Sequence, residues 1–198
     1  LSTLGGKTTG VVTVSNAVVI SGDAAQVTAA MVATETLVEA ASAKVTINDA
    51  DETTLTATAL SAIGAKTSGV VTVSNAVTIT GDAAQVTAAL VTSETLVVAE
   101  KAKVTVTGTI GVTEVNAIAA KTAGVVTATI STAGATELVA GLSDTTVNAY
   151  TIAVTGTATA AQLNTINSKT SVVVDASGVT AITGDAASFA TLVAAVTS

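Results

Sequence analysis

The densest set of oxygen ligands in this sequence is Asn48-Asp49-Ala50-Asp51-Glu52. Alternating carboxylates on one short loop suit a hard cation such as Ca²⁺, which collects oxygen ligands from Asp, Glu and carbonyl groups. Asp49, Asp51 and Glu52 are therefore candidate metal ligands, with calcium the candidate ion. The competing reading is a solvated acidic turn, since the matching place one period later, Thr107-Gly108-Thr109-Ile110, carries no acid. A second pattern is Thr-x-Thr, at 56/58, 78/80, 105/107, 127/129 and 155/157. Thr78, Thr80, Thr105, Thr107, Thr127 and Thr129 form a candidate binding surface whose regular hydroxyls would match a lattice such as ice. Threonine also fills exposed strand positions through backbone preference alone.

Catalytic chemistry finds little to work with. The chain has no His and no Cys, so the common base–nucleophile pairs cannot be assembled. Ser168-Lys169, or Ser42 with Lys44, is the remaining nucleophile-and-base pairing. A simpler reading covers the recurring Lys-Thr dipeptides at 7–8, 66–67, 121–122 and 169–170: a cation near free helix carbonyls, favoured by the helix dipole. No enzyme and no cofactor are expected.

Charge and composition exclude further classes. Fourteen acids against seven basic residues, all lysine, give a net charge of −7. Nucleic-acid binding rests on clustered Lys and Arg, so no such partner is expected. Apolar runs are broken every few residues by Thr, Ser, Gly or a charge, which excludes a membrane-spanning helix. Aromatics make up 1% of a chain that is 49% hydrophobic, so Ala, Val, Leu and Ile must supply the core. Such small side chains suit a thin, repeated core better than one thick globule.

The positioning elements follow from internal repetition. Residues 10–31 and 69–90 differ only at Val19/Thr78, Ser21/Thr80 and Met31/Leu90. One unit is built around Gly-Asp-Ala-Ala-Gln-Val at 22–27 and 81–86, repeated as Gly184-Asp185-Ala186-Ala187 and in degenerate form at 135–142. Val86 and Leu90 lie four apart, one face of a helix, and Asp23, Asp82 and Asp185 are the expected N-caps. The other unit places two apolar residues three apart before Lys-Thr, as in Leu60, Ile63 and Lys66-Thr67. The two types alternate to give eight units. Each is expected to be a helix too short to persist alone in water.

Short β-branched runs precede the helices: Val11–Val14, Val70–Val73, Val125–Thr127 and Val172–Val174, then 45–47, 104–107 and 151–154. Alternating Val and Thr is a half-buried strand signal. Strands alternating with helices imply parallel pairing through right-handed crossovers. The expected fold is α/β: a right-handed αβ-solenoid of about eight strand-plus-short-helix coils with a parallel sheet. An all-β solenoid is the alternative. One continuous domain over 1–198 is expected, a fragment of a longer array, with period shrinkage falling in the connections at 32–43, 91–102 and 143–149.

The stretches 174–187 (Val-Asp-Ala-Ser-Gly-Val-Thr-Ala-Ile-Thr-Gly-Asp-Ala-Ala) and 159–171 (Thr-Ala-Ala-Gln-Leu-Asn-Thr-Ile-Asn-Ser-Lys-Thr-Ser) resemble repeats of very long secreted cyanobacterial proteins. Those proteins often carry haemolysin-type calcium-binding repeats, whose glycine-and-aspartate nonapeptide is absent from this chain. The resemblance implies an extracellular or cell-surface structural array. The expected function is a non-catalytic spacer, display or adhesin-stalk segment; the alternative is a binding surface on the Thr pairs or the acidic loop. Its expected partners are neighbouring repeats, with end-to-end self-association through the apolar 188–198 segment.

Overall fold

The computed structural model describes residues 1–35, 38–93, 97–143 and 147–196. Residues 36–37, 94–96 and 144–146, which fall inside the three expected connections, and the last two residues lie outside them. The protein is α/β, with helices alternating with strands in several parallel sheets. It divides into two compact units, Leu1–Thr105 with Lys121–Gly124, and Val106–Ala120 with Val125–Ser198.

The first unit runs α1 (Ser2–Gly5), β1 (Val12–Thr13), β2 (Val19–Gly22), α2 (Ala24–Met31), β3 (Val38–Glu39), β4 (Lys44–Ile47), β5 (Thr54–Thr56) and α3 (Ala57–Gly64). It continues through β6 (Val71–Val73), β7 (Thr78–Asp82), α4 (Ala83–Leu90) and β8 (Val97–Val98) into β9 (Lys103–Ile110). A four-stranded parallel sheet has the order β2-β4-β6-β8. Its register places Ile20 beside Val45, Val45 beside Val71 and Val71 beside Val97. All four are buried, so one side chain per strand forms an aliphatic row. Strands β1 with β3, and β5 with β7, form further parallel pairs. Behind the sheets α1 packs on α2, α2 on α3 and α3 on α4, with Leu60, Ile63 and Val86 fully buried.

The second unit contains α5 (Val112–Ala119), β10 (Val126–Ile130), β11 (Ala133–Gly134), α6 (Ala135–Gly141), β12 (Ala149–Thr151), β13 (Ala153–Thr159), α7 (Ala160–Asn167), β14 (Asp175–Thr183) and α8 (Ala186–Val196). Strands β10 and β12 pair in parallel, as do β11, β13 and β14 in that order. Helices α5, α6, α7 and α8 pack in succession, burying Val115, Leu138 and Leu163.

Local chemistry explains why such short helices hold. Asp23, Asp82 and Thr159 each accept from the amide of a Gln three residues on, whose side chain accepts the cap residue's own amide. Such a capping box satisfies two of the helix's free donors at once. Thr56 Oγ1 accepts from Ala59 N at 3.2 Å. Asp185 Oδ1 accepts from Ser188 N at 2.7 Å at the start of α8.

Two expectations need correction. Residues 32–43 and 91–102 are more than connections, because β3 and β8 lie within them with Val38 and Val97 buried. Val172–Val174 is not a strand: β14 begins at Asp175, and Val173 is 89% exposed. The reason lies one residue earlier. Gly69 and Gly124 pass so close to the carbonyls of Ala43 and Ala102 that a Cβ would collide. Val172 stands at the equivalent place and carries that Cβ, so the chain cannot approach in the same way.

Candidate functional site

The Lys-Thr dipeptides acquire a role through the threonine. Thr67 Oγ1 donates to Ala43 O at 2.5 Å and accepts from Gly69 N at 3.0 Å. Thr122 repeats this, donating to Ala102 O and accepting from Gly124 N at 3.0 Å. Thr170 Oγ1 donates to Tyr150 O at 2.7 Å and accepts from Val172 N at 3.1 Å. In each case one hydroxyl pins the turn after a helix to the strand region 20–24 residues earlier. Thr67 and Thr170 are among the few buried polar residues. Lys66, Lys121 and Lys169 stand one residue beyond the C-caps Ala65, Ala120 and Ser168, and the last turns contain no base. The signal for the pin is the Lys-Thr-x-Gly motif at 66–69 and 121–124.

The acidic loop does not form an oxygen cage. Asp49 Oδ2 accepts from Ala24 N, the first amide of α2, at 2.7 Å, while Asn75 Nδ2 donates to Asp49 O at 2.7 Å. Asp51 Oδ1 accepts from Ala76 N at 2.8 Å. Glu52 pairs with Lys103 at 2.9 Å on an exposed surface, and its φ of 64° places it in the left-handed region. Three carboxylates thus serve three different partners, and among the described residues no group of three acids is placed to hold a metal ion. The structure does not bring Asp49, Asp51 and Glu52 together as one ligand set.

The threonines are brought together in part. Thr54 lies beside Thr78 and Thr56 beside Thr80, a two-by-two array on β5 and β7 in the first unit. Thr105 and Thr107 lie on β9. In the second unit Thr129 meets Thr151, whereas Thr127 meets Ala149. Thr54, Thr56, Thr127 and Thr129 are exposed, and Thr78 and Thr80 are half-buried.

One buried polar cluster escaped sequence reasoning. Asn148 Oδ1 accepts from Val126 N at 2.8 Å, and its Nδ2 donates to Tyr150 Oη at 3.0 Å. Tyr150 is fully buried, so its hydroxyl requires this partner. Two carboxyls are held below the usual carboxylate range. Asp175 is lowered by the Ser177 amide and Asp185 by the Ser188 amide. Both are exposed turn or cap residues and face no cleft chemistry. No described helix is long and apolar enough to cross a membrane.

No family model, curated protein or solved structure matches this chain.

Proposed function

We propose that this chain is a non-catalytic structural repeat segment, a spacer or display stalk of a long secreted or cell-surface protein. In this reading each unit is a stretch of right-handed αβ-solenoid, and its partners are neighbouring repeats. The supporting observation is where the polar side chains go. Thr67, Thr122 and Thr170, with Asp49 and Asp51, are hydrogen-bonded to backbone groups 20 or more residues away and hold one segment against another, while Asp23 and Asp82 cap their own helices. The secreted location rests on the resemblance of 159–171 and 174–187 to repeats of long secreted cyanobacterial proteins.

A spacer tolerates removal of a whole period. Deleting residues 10–68 joins Thr9 to Gly69, which restores the same local sequence as Thr9-Gly10. The shortened protein is expected to melt cooperatively, with helix and strand signals reduced in proportion to its length. A molten or aggregated product would count against the reading.

The Thr54, Thr56, Thr78 and Thr80 array supports a second reading, a surface that binds an ordered lattice. Thermal hysteresis in the purified protein, abolished by Thr78→Lys, would establish it. Freezing behaviour identical to that of an inert protein of equal mass would remove it.

A further inference from the structure

The first unit contains three successive strand-and-helix segments: β1-β2-α2 (12–31), β3-β4-β5-α3 (38–64) and β6-β7-α4 (71–90). Their main-chain ladders are equal in length. The first and second segments share two register pairs in β1–β3 and four in β2–β4. The second and third share three in β4–β6 and three in β5–β7. Any difference in how firmly the segments are joined must therefore come from side chains and close approaches.

These are distributed unevenly. Among the described residues, one side-chain hydrogen bond joins the first segment to the second, from Ala24 N to Asp49 Oδ2 at 2.7 Å. The second segment and the turn into the third are joined by Thr67 Oγ1 to Ala43 O at 2.5 Å and Ser68 Oγ to Ala41 O at 2.9 Å. Asn75 Nδ2 donates to Asp49 O at 2.7 Å, and Ala76 N donates to Asp51 Oδ1 at 2.8 Å. Gly69 lies against the Ala43 carbonyl and Gly81 against the Ala57 side chain, whereas a Cβ at Gly22 would meet only Gln26 of its own helix. Each bond contributes modestly, and together they favour one interface. Beyond the third segment, Lys103 N donates to Val77 O, and among the described residues no side-chain hydrogen bond is added. Glu52 reaches past that segment to Lys103, but as an exposed pair it contributes little. One period after Thr67, Thr122 repeats the pin onto Ala102 O.

We propose that the period contains a built-in release joint: under tension residues 12–31 part from 38–64, while 38–64 and 71–90 stay joined and open as a single unit. A stalk made this way lengthens in two-segment steps. That use rests on the spacer reading, whereas the joint itself rests on the hydrogen bonds above.

Hydrogen exchange on the full chain tests the joint, because adjacent amides report opposite interfaces. Lys44 N donates to Val18 O in the first segment, and Val45 N to Val70 O at the start of the third. Val14 N and Asn48 N also cross the first interface, onto Glu39 O and Gly22 O. Ser74 N and Thr78 N cross the second, onto Ile47 O and Thr53 O. The amides of Val45, Ser74 and Thr78 are expected to share one protection factor, at least about tenfold above that of Val14, Lys44 and Asn48. Thr67→Val is expected to lower the first set about tenfold and leave the second unchanged, which a general loss of stability would not do. Should that variant unfold, Asn75→Ala removes another link of the same interface and is expected to lower the same set alone. Thr9→Cys with Lys101→Cys supplies handles for pulling, since the chain has no cysteine. Between them, residues 38–90 are expected to lengthen in one step of about 180 Å. Equal protection of the two sets, a uniform loss in the folded variant, or separate steps for 38–64 and 71–90 would overturn the proposal. A misfolded deletion product with this exchange pattern intact would instead count against the spacer reading alone.

Discussion

Thr67 and Ala43 lie 24 residues apart in sequence and are joined by a 2.5 Å hydrogen bond from the threonine hydroxyl to the alanine carbonyl. The same oxygen accepts the Gly69 amide, so a single buried hydroxyl completes two backbone groups that would otherwise be unpaired. Thr67→Val keeps the volume and removes the hydroxyl. It is expected to cost about 1–3 kcal/mol in urea unfolding, with Thr67→Ser recovering most of the loss. Thr8→Val, at the exposed copy whose hydroxyl accepts from Gly10 N, is expected to stay within about 0.5 kcal/mol. Equal losses at positions 67 and 8 would contradict the pin.

The glycines separate into two kinds. A Cβ at Gly69 would collide with the Ala43 carbonyl, whereas at Gly108 it meets nothing but the φ is +76°. Gly69→Ala is therefore a packing clash worth about 1–3 kcal/mol or more, and asparagine there gives no relief. Gly108→Ala is a backbone penalty of about 1–2 kcal/mol, and Gly108→Asn should recover part of it because Asn tolerates the left-handed region. Thermal melts of the four variants test this; rescue by Asn at 69 would be the wrong result.

Equivalent apolar positions should differ by burial alone. Ile63 is fully buried and Leu4 is 56% exposed. Ile63→Ala is expected to cost about 2–5 kcal/mol and Leu4→Ala no more than about 0.5 kcal/mol. Chemical denaturation distinguishes them, and a large loss at Leu4 would show that its surroundings are misdescribed.

The Asp185 carboxyl is lowered from its usual 3.8 by the Ser188 amide. A depressed folded-state pKa means its stabilising contribution is complete above 3.8 and is lost as pH falls through the lower folded value. The Ser188 amide resonance is expected to titrate with a midpoint below 3.8, and Asp185→Asn should remove that titration. A midpoint at or above the usual value would contradict the cap.

Much of the scaffold was legible because it is local. Asp-Ala-Ala-Gln at 23–26 and 82–85 contains its own cap, its N3 glutamine and the start of its apolar face. The Val-Thr runs at 45–47 and 104–107 carry their inward and outward faces by alternation. What escaped depends on partners 20 or more residues away. Two-residue strands such as Val38–Glu39 and Val97–Val98 are too short to show a period and exist because Val12 and Val71 lie beside them. The carboxylates at 49–52 look like a cage in one dimension, yet Ala24, Ala76 and Lys103 draw them apart. The threonine of Lys-Thr reads as a neutral turn residue until Ala43 is brought beneath it.

The parallel register that stacks one segment on the next is tested most directly by engineered disulfides, since the chain has no cysteine of its own. Thr46 and Thr72 are direct register partners on β4 and β6, as are Thr54 and Thr78 on β5 and β7. Neighbouring strands lie about 4.8 Å apart, within the range a disulfide spans. Thr46→Cys with Thr72→Cys, and Thr54→Cys with Thr78→Cys, are expected to oxidise fully in air while the fold is kept. Thr46→Cys with Val71→Cys, whose side chains point to opposite faces, is expected to remain reduced. Free thiols in the first two pairs, or a bond in the third, would contradict the layered architecture.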